Sequence, residues 1–583
     1  MSKWTGQIKG AVAVDYETTG LDVWHGGARP FMIGLEDEAG HVLLAEPNTP
    51  EWATALAVLA NPKVEKVCWN AKYELSVSAY EKIDIAGTVH DAMLLCYMEN
   101  EYEPDLKLKG VGKRHFKDDC AEAEEVDTAL AKIKRETGRK AFDLLPRPMV
   151  RKYLEKDLDL TMKAFWRFGD SRKRQPQVYK IESDAIRPVV EMERWGVNID
   201  VDYCRRMVDE TAPDSISSRK NALRLKMDSI AGCRVNPAST TQLGYTLESL
   251  GLDTGRENKR GEMSAAKALL ETIDHPFVKA LLEWRALAKL DGTYFNAFIR
   301  EQQEGVIHPS FWPFGTEEGG IRTGRCSCRN PNFQNLPKGP IVRRAVVPRL
   351  GYVFLFGDYS QAEYKIFACN TGDEALLDRL RNGEDFHRAT ALLTYGANCF
   401  DGKTPEECAK IRSRAKNCNF ALLFGAGDVR YAATAGISVE EARRNRAEYF
   451  RAMPLAREYL LKSQGELLSR GYVQDAFGRQ YHVPRDVPHK AGNVLCQGPA
   501  ALVNKRGLAR VSKMLAGLDA HLFITVHDEL GVEVKRSQVA EAATALREGM
   551  LDDENFPIPL EAEISIAETS WAEKQPYQFT KRR

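Results

Sequence analysis

The chain of 583 residues lacks long apolar runs, a net charge and a regular cysteine pattern. No run of about 18 apolar residues occurs, so the sequence predicts no membrane-spanning helix, and the N-terminus does not have the pattern of a secretory signal peptide. Internal repeats and low-complexity segments are also absent. Because a chain of this length is too long for one hydrophobic core, we expect two to four domains.

An excess of charge of one sign is also missing, because 82 Lys and Arg residues balance 82 Asp and Glu residues. A neutral total does not favour a nucleic-acid partner, but it does not exclude one, since binding depends on local basic surface and acidic metal sites lower the total. The 12 cysteines have no zinc-type pairing, and Cys326 and Cys328 are too close together for it. Reduced thiols fit a cytoplasmic protein.

Two acidic stretches accompany apolar segments that are typical of buried strands. Residues 352–356 are apolar and lie between two glycines, and Asp358 follows in the sequence GDYSQAEYKIF. Residues 521–534 contain two further strand-like runs around Asp528. If these strands are neighbours, Asp358 and Asp528 meet at one edge of one sheet. Two adjacent carboxylates repel unless a divalent cation neutralises them, so the pattern predicts a site for two Mg²⁺ ions of the kind used in phosphoryl transfer.

A second set of acidic residues lies in the N-terminal part of the chain. Asp15 and Glu17 are two residues apart in a short apolar strand, so their side chains point to the same face. Glu74 follows a second apolar stretch. Tyr153 and Asp157 are four residues apart in a segment of helical character and share a face. Each of these signals is weak alone, because exposed acids are common.

Residues 308–337 form a segment rich in Gly, Pro, Asn and Arg with little periodicity. A long loop in a compact protein is usually functional. Arg325 suits a phosphate, whereas Gln334 and Asn335 suit base or sugar edges. The alternative is an ordinary surface loop.

Residues 409–424, AKIRSRAKNCNFALLF, contain no Gly or Pro and predict a helix. Arg412, Lys416, Phe420 and Phe424 recur every four residues, so all four lie on one broad face that runs from cations to aromatics. The basic end of this face can bind a triphosphate, and the aromatic end can stack on a base or sugar. The alternative is a core helix whose cations reach solvent along its apolar stripe.

In combination these segments resemble the motifs of the family A DNA polymerases, from about residue 11 to residue 571. GDYSQAEYKIF resembles motif A, residues 409–424 resemble motif B, and VHDEL resembles motif C. The acids of the N-terminal part resemble the three exonuclease motifs of proofreading domains. The resemblance implies a compact, phage-type enzyme, similar to DNA polymerase I, that extends primers in DNA replication. It implies a 3′–5′ exonuclease domain and no separate 5′ nuclease domain.

The resemblance also implies a multidomain fold of α/β and α+β class. An RNase H-like exonuclease domain is expected to precede a right-hand polymerase domain with palm, fingers and thumb. The expected boundaries are 1–178 for the exonuclease domain, 179–307 for the thumb and the start of the polymerase domain, 308–370 for the first part of the palm, 371–480 for the fingers and 481–583 for the second part of the palm. The expected partners are primer–template DNA and deoxynucleoside triphosphates, in the cytoplasm of a bacterial or phage-infected cell and with no membrane. The sequence does not identify replisome partners.

The resemblance assigns roles to individual residues. In the polymerase site it implies Asp358 and Asp528 as metal ligands, with Lys416 and Glu529 as further catalytic residues. In the exonuclease site it implies two metal ions held by Asp15, Glu17, Glu74 and Asp157, with Tyr153 orienting the attacking water. Nucleotide contacts are implied for Gln361, Glu363, His387, Arg412, Lys416, Phe420 and Phe424. DNA contacts are implied for Arg325, Gln334, Asn335, Asn493, Gln497 and His527. Each site is expected to bind two Mg²⁺ ions, with Mn²⁺ as a possible substitute.

Three positions depart from the family pattern. Glu74 stands where the family usually has Asp, and its longer side chain changes the metal geometry expected for proofreading. Ala421 replaces the usual Gly, and Phe424 stands where Tyr is common. Both of these bear on fidelity rather than on synthesis itself.

Three other functions remain open. A single-subunit RNA polymerase shares the chemistry of the palm, but Glu363 argues against it, because in the family this residue blocks space below the 2′ carbon of the sugar. A stand-alone exonuclease leaves the C-terminal part of the chain unexplained. A non-catalytic DNA-binding subunit would be expected to lose some of the metal-binding acids.

Overall fold

The computed structural model describes residues 2–3, 8–255, 263–318, 320–423 and 425–579. Its fold is mixed, with a six-stranded sheet near the N-terminus, a helical middle and a five-stranded sheet near the C-terminus. In the described part of the chain, no helix combines the length and the apolar character needed to span a bilayer.

The N-terminal unit is a mixed sheet with helices on both faces. Its strands are β1 (Ser2–Lys3), β2 (Val12–Thr18), β3 (Pro30–Asp37), β4 (His41–Ala45), β5 (Lys66–Cys68) and β6 (Val89–Asp91). Its helices are α1 (Pro50–Ala60), α2 (Ala71–Glu81), α3 (Ala92–Glu99), α4 (Leu108–Phe116), α5 (Ala121–Thr137), α6 (Arg147–Phe168) and α7 (Asp170–Arg174). The strand order is β1-β4-β3-β2-β5-β6; β2, β3 and β4 are antiparallel, whereas β5 and β6 run parallel to β2.

Strand β2 separates two hydrophobic layers. Val12 and Val14 belong to the layer that contains α1 and α2, and Ala13 belongs to the layer that contains α6. Because side chains alternate along a strand, Asp15 and Glu17 point to the same side as Ala13. The hydrophobic alternation of β2 therefore directs two acids toward α6.

The middle of the chain is helical, as expected. Its elements are α8 (Pro176–Trp195), β7 (Val197–Asn198), α9 (Val201–Val208), α10 (Ile216–Ala231), α11 (Thr240–Ser249), α12 (Lys267–Leu270), α13 (Pro276–Lys289), α14 (Asn296–Glu301) and β8 (Val306–Ile307). Helices α13 and α14 do not form one regular helix, because a π-helical turn at Leu290–Phe295 joins them. Such turns widen a helix by one residue per turn and change which side chains share a face.

The C-terminal unit contains a fully antiparallel sheet. Its elements are β9 (Ser310–Trp312), β10 (Ser327–Arg329), α15 (Pro340–Arg343), β11 (Tyr352–Tyr359), α16 (Ala362–Thr371), α17 (Glu374–Arg381), α18 (Phe386–Tyr395), α19 (Pro405–Leu423), α20 (Asp428–Ala435), α21 (Val439–Ala452), α22 (Pro454–Arg470), β12 (Val473–Gln474), β13 (Gln480–Tyr481), α23 (Ala491–Met514), β14 (Ala520–Val526), β15 (Glu529–Lys535), α24 (Val539–Gly549), β16 (Ala562–Ala567) and β17 (Gln575–Pro576). Short 3₁₀ turns occur at Phe142–Leu144, Phe333–Asn335, Pro488–Lys490, Arg536–Gln538 and Trp571–Glu573. The order of the sheet is β14-β15-β11-β16-β17.

A buried ionic cluster ties α8 to the C-terminal unit. Glu182 of α8 accepts a hydrogen bond of 2.7 Å from Arg479 and forms an ion pair with Lys505 of α23. The side chains of all three residues are at most 2% exposed. The Arg479 guanidinium also lies over the rings of Tyr97 and Tyr481, at 5.1 and 5.3 Å from their centres. The N-terminal unit is therefore fixed to the C-terminal unit through a charged core.

Glu182→Ala is expected to lower the free energy of unfolding by about 3–5 kcal/mol, because it leaves two buried cations without an anion. The matched control is Glu191→Ala on the same helix, whose ion pair with Arg194 is more than half exposed and contributes at most about 1 kcal/mol. Thermal and urea unfolding of the two variants measure the difference. Equal stability of the two variants would contradict a structural role for the cluster.

Candidate active sites

Asp358 and Asp528 meet at one edge of the C-terminal sheet, as the sequence predicted. β11 lies between β15 and β16, and Asp358 pairs with Glu529 on one side and with Glu563 on the other. Asp528 lies in the tight turn between β14 and β15, and its carbonyl accepts a hydrogen bond of 3.3 Å from the amide of Tyr359. The turn requires a left-handed backbone at the residue before Asp528.

The strand that carries Asp358 is longer than expected. The sequence indicated that the strand leaves the core before Asp358, but β11 continues to Tyr359. The reason is that β11 is hydrogen-bonded on both sides, so its last residues stay in the ladder even where Asp358 itself is exposed. Asp358 is therefore held by two neighbouring strands and not by a loop.

The two aspartates influence one another electrostatically. The pKa of Asp528 is raised to about 7, first by burial and then by the negative charge of Asp358. Glu529 forms an ion pair with Lys574, whose ammonium group lies 3.9 Å from the centre of the Phe356 ring. An acidic pair that holds a proton near neutral pH gains stability from a bound cation, since the cation removes the repulsion.

Arg325 connects the loop before the sheet to this site. Its guanidinium forms an ion pair with Glu363, in the first turn of α16. Burial lowers the pKa of Arg325, whereas the nearby charge of Asp528 raises it. The residues predicted for DNA contact and for sugar selection therefore lie against each other, next to Asp528.

The helix predicted at residues 409–424 is α19, and it begins earlier than expected. Pro405 occupies its first turn. Thr404 and Glu407 form a capping box, in which the Glu407 amide donates to the Thr404 hydroxyl and the Thr404 amide donates to the Glu407 carboxylate. The sequence TPEE carries this signal, and it extends the helix by four residues.

The basic end of α19 is tied to α18 and α16. Arg412 donates two hydrogen bonds, of 2.9 and 2.7 Å, to the carboxylate of Asp385. The side chain of Gln361 also donates to Asp385 and accepts from the amide of Phe386 at 3.0 Å. Burial raises the pKa of Asp385, but the hydrogen bonds from Arg412 and Gln361 outweigh it and lower the pKa to about 2. Arg412 and Gln361, which are both predicted to contact a nucleotide, thus form hydrogen bonds at the N-terminus of α18.

The remaining residues predicted to contact a nucleotide differ in exposure. Lys416 is exposed, and the Phe420 side chain is 43% exposed on the same helix face. His387 is only 3% exposed, its ring meets Asn419 in a hydrogen bond of 3.1 Å, and burial lowers its pKa to about 4. The contact of His387 with a triphosphate stays a prediction. The ring that would make this contact is neutral and buried. Phe424 lies outside the described residues.

Two of the predicted DNA contacts, Gln334 and His527, lie at the turn before Asp528 or on the strand that leads into it. Gln334 donates to the carbonyl of Thr525 at 3.2 Å, and the carbonyl of Asn335 accepts from the hydroxyl of Tyr294 at 2.6 Å. His527 lies in the turn itself with a φ of 58°. Asn493 and Gln497 lie on α23, one turn apart, as predicted. The structure therefore brings Gln334 of the loop segment to the strand that leads into the turn of His527.

Sequence reasoning missed two residues that support this site. Asn504 of α23 donates to the hydroxyl of Thr525 at 3.0 Å and to the carbonyl of His527 at 3.1 Å, which fixes the turn before Asp528. Lys574 pairs with Glu529 from a segment near the C-terminus. Neither lies in a recognisable motif, and only the tertiary arrangement of α23 and β16 reveals them.

The acids of the N-terminal unit converge from three elements. Asp15 and Glu17 lie on β2, Asp157 lies on α6, and one ligand atom of each lies within 4.8 Å of the others. Helix α6 approaches the sheet closely because Gly34 of β3 has no side chain; a Cβ there would lie 2.7 Å from Leu158. Without that glycine, α6 could not bring Asp157 to the strand.

Glu74 lies near Asp15 from the first turn of α2, and the negative charge of Asp15 helps to raise the pKa of its carboxyl group. Asp91 sets the position of α2, because its carboxylate accepts hydrogen bonds from the amides of Asn70 and Ala71 at 3.2 and 2.9 Å. It also caps α3. Asp91 therefore has a structural role, and the side chain of Glu74 lies close to Asp15.

The acidic cluster has the electrostatics of a cation site. The pKa of Asp15 is raised to about 8, first by burial and then by the charge of Asp157, and the pKa of Glu74 is raised by burial and by Asp15. Glu17 Oε1 and Glu74 Oε2 are buried and have no hydrogen-bond partner within the described segments. Buried carboxylate oxygens without partners are the ligands that Mg²⁺ and Mn²⁺ prefer. The donor set therefore fits divalent cations.

Tyr153 and one lysine complete the N-terminal site. Lys109 of α4 forms an ion pair with Asp157, and its ammonium group lies 4.3 Å from the centre of the Tyr153 ring. The sequence gave no indication of Lys109, because no pattern of spacing relates it to the acids. Tyr153 lies one helical turn before Asp157, as the spacing predicted.

Comparison with known proteins identifies relatives of this chain. The chain is similar to DNA polymerase I of Pseudomonas aeruginosa, with 28% identity over 98% of this chain and 64% of that protein. It is also similar to the thermostable DNA polymerase I of Thermus aquaticus, with 30% identity over 69% of this chain and 49% of that protein. The chain thus spans roughly half to two thirds of the length of these curated relatives.

A solved structure and a family model complete the comparison. The POL domain of Pol1 from M. smegmatis, solved in complex with DNA primer-template and dNTP, has the same fold, with a TM-score of 0.79 and 23% identity over 96% of this chain and 95% of that chain. The model of DNA polymerase family A matches residues 208–573, which is more than half of the sequence. The protein therefore belongs to DNA polymerase family A.

Proposed function

We propose that the protein is a DNA-directed DNA polymerase that adds deoxynucleotides to a primer 3′ end in DNA replication, and that its N-terminal unit is a 3′–5′ proofreading exonuclease. The observation that carries the first proposal is the position of Asp358 and Asp528 at one edge of the sheet, in a chain of this family. The cluster of Asp15 and Glu17 on β2 with Asp157 on α6 supports the second.

The residues of both sites fit divalent metal ions. Asp358 and Asp528 would hold the ions of the polymerase site, and the acids Asp15, Glu17, Glu74 and Asp157 would hold those of the exonuclease site. When bound, two Mg²⁺ ions activate the attacking oxygen and stabilise the leaving oxygen of a phosphoryl transfer. Mn²⁺ has the same preference for oxygen ligands and would substitute.

The fingers helix would bind the incoming triphosphate through Lys416. Lys416 is exposed on the face that also carries Phe420, and it has no ion pair within the described part of the chain. Arg412 is hydrogen-bonded to Asp385. We therefore propose that it orients α19 and adds positive charge near the triphosphate without binding a phosphate directly. Phe420 would stack on the base or sugar.

Lys416→Ala is expected to lower kcat/KM for deoxynucleotides by about 10- to 150-fold, because one charge-assisted phosphate contact contributes roughly 1.5–3 kcal/mol. The dissociation constant for primer–template should stay within about twofold. Lys410→Ala is the control, since Lys410 is exposed on the same helix but lies roughly 120° around its axis from Lys416. Steady-state kinetics and a DNA-binding titration measure the two effects. A weaker DNA complex with unchanged nucleotide kinetics would refute the placement.

Glu363→Ala is expected to raise the use of ribonucleotides relative to deoxynucleotides by roughly 10- to 100-fold, because a carboxylate that occupies space under the sugar is removed. The ion pair with Arg325 holds Glu363 in place, so Arg325→Ala should produce a smaller change in the same direction. The ratio of kcat/KM for the two sugars is the measurement. A ratio equal to that of the wild type in Glu363→Ala would show that another group selects the sugar.

A primer-extension assay with deoxynucleotides or ribonucleotides, with and without Mg²⁺, tests the proposal against its alternatives. Mg²⁺-dependent extension with deoxynucleotides supports it, whereas a preference for ribonucleotides indicates an RNA polymerase. Degradation of the primer without extension indicates a stand-alone exonuclease. Binding of DNA with neither reaction indicates a non-catalytic subunit.

A further inference from the structure

Lys109 is a cation enclosed within the acidic cluster of the N-terminal unit. Its ammonium group forms an ion pair with Asp157 and donates a hydrogen bond of 2.8 Å to a second anion, Glu122 of α5. The Tyr153 ring lies on a third side, 4.3 Å away. Only 16% of the Lys109 side chain is exposed. Two of its three partners thus belong to the proposed exonuclease residues.

The charge of Lys109 acts on the whole cluster. It lowers the pKa values of Asp15, Glu17 and Asp157, and it is the only cation among the principal influences on these three groups. Carboxylates this close repel each other strongly in a partly buried site. Lys109 therefore supplies the positive charge that allows the acids to stay together without a metal ion.

A simple structural role for Lys109 would be the bridge between α4 and α5 through Glu122. That bridge alone does not explain the geometry, because a lysine that only paired with Glu122 would have no reason to contact Asp157 and the face of the Tyr153 ring. A metal cation bound to Asp157 would repel an ammonium group in contact with the same carboxylate. The Glu122 carboxylate gives the Lys109 ammonium group an alternative partner, because it already lies within hydrogen-bond distance of it.

We propose that Lys109 is a positioning residue of the exonuclease site, whose ammonium holds Asp157 toward the other acids in the metal-free protein and competes with a divalent cation for that carboxylate. Glu122 keeps the ammonium when Asp157 becomes a metal ligand. The proposal rests on the proposed exonuclease function. It assigns to the site an internal counter-ion that limits metal affinity and prevents the cluster from separating.

Removal of this charge has two opposite consequences. Without Lys109, the acids of the metal-free protein repel each other, so the N-terminal unit becomes less stable. The same change removes a competitor, so a divalent cation binds more tightly. A merely structural lysine would produce the first effect without the second, and this difference makes the two roles separable.

The test uses the full chain with Lys109→Met, which keeps the length of the side chain and removes its charge. Mn²⁺ binding is measured by electron paramagnetic resonance in an Asp528→Asn background, so that the polymerase site contributes little. The expected dissociation constant is roughly tenfold lower than with Lys109 present, the size of one close charge interaction at a partly exposed site. The unfolding midpoint should fall in EDTA and recover when Mn²⁺ is added.

Two further variants serve as controls. Lys113→Met removes a lysine of the same helix whose partner, Glu124, is exposed, and it should change neither Mn²⁺ affinity nor the EDTA midpoint beyond error. Lys109→Arg keeps the charge and should retain the affinity of the wild type. Primer extension by each protein, measured with Asp528 intact, confirms that the variant is folded.

Three results would overturn the proposal. An unchanged or weaker Mn²⁺ affinity in Lys109→Met, with equal losses of stability in EDTA and in Mn²⁺, assigns Lys109 a structural role only. If the wild type degrades a mismatched 3′ end and the affinity is still unchanged, the Lys109 inference fails and the exonuclease proposal stands. If the wild type neither binds Mn²⁺ at this cluster nor degrades DNA, both fail together.

Discussion

Asp528→Asn is expected to reduce primer extension by more than about a hundredfold while the dissociation constant for primer–template changes by less than about threefold. Loss of a residue that only supports a metal ligand already costs about 10- to 100-fold, so loss of a ligand itself should cost more. An amide is a poor substitute for a carboxylate as a ligand of Mg²⁺. DNA binding should persist, because it depends on residues of several other segments.

Single-turnover extension in saturating Mg²⁺ is the measurement, with Glu568→Gln as the control. Glu568 is an exposed acid just after β16 and pairs with Arg536, so its neutralisation should leave extension unchanged. Extension by Asp528→Asn within tenfold of the wild type would refute the assignment of Asp528. A parallel loss of DNA binding would indicate a damaged fold and not a missing ligand.

The raised pKa of Asp528 adds a dependence on pH that can be measured without metal. Because the folded-state pKa is about 7 and the ordinary value is 3.8, the folded protein holds a proton on Asp528 that the unfolded chain has lost. The contribution of this group to stability therefore falls as pH rises from about 4 to 7. In EDTA, Asp528→Asn should gain stability relative to the wild type over this range, and the gain should level off above about pH 7. A constant difference across the range would contradict the raised pKa.

The parts of the polymerase site that the sequence predicted correctly are those set by local pattern. The apolar run before Asp358 and the two runs around Asp528 placed both acids near strand ends, and antiparallel pairing brings those ends together. The four-residue spacing of Arg412, Lys416 and Phe420 likewise determined one helix face. Alternation along β2 placed Asp15 and Glu17 on one side for the same reason.

The parts that could not be predicted depend on contacts between distant segments. No local pattern indicates that Arg412 pairs with Asp385 from another helix, or that Lys574 neutralises Glu529. The burial of His387 follows from the packing of α18 on α16 and α19, which a single sequence does not specify. Lys109 belongs to the same class, since its relation to Asp157 arises only when α4 packs on α6.

The start of α19 was also predicted wrongly, but for a different reason. Thr404, Pro405 and Glu407 form a capping box with proline in the first turn, and both signals are local. The charged and aromatic stripe of residues 409–424 predicts a helix but does not mark where that helix begins. The capping pattern would have set the boundary correctly without any structural information.

Asp15→Ala is expected to reduce the release of monophosphate from a mismatched 3′ end by more than about a hundredfold and to leave extension of a matched primer within about twofold of the wild type. Asp15 is the acid to remove because it lies close to Glu17 and Asp157 and interacts electrostatically with Asp157 and Glu74. Its loss removes a proposed metal ligand from the centre of the cluster. The polymerase residues lie in a separate sheet, so synthesis should be unaffected.

Glu74 decides whether the wild type degrades DNA at a useful rate. Its carboxyl group reaches Asp15 from the first turn of α2, and one of its oxygens is buried without a partner in the described structure, as expected of a free ligand position. Glu74→Asp would withdraw the carboxylate by about one bond length, and a displacement of about 1 Å can cost on the order of a hundredfold in rate. We therefore expect Glu74→Asp to slow the exonuclease, although the family usually has Asp here, because the shorter side chain moves the carboxylate away from Asp15. Idle-turnover release of monophosphate in the wild type, Asp15→Ala and Glu74→Asp measures this effect.

Equal, low release by the wild type and Asp15→Ala would refute the exonuclease. Faster release by Glu74→Asp than by the wild type would show that the longer side chain impairs the site.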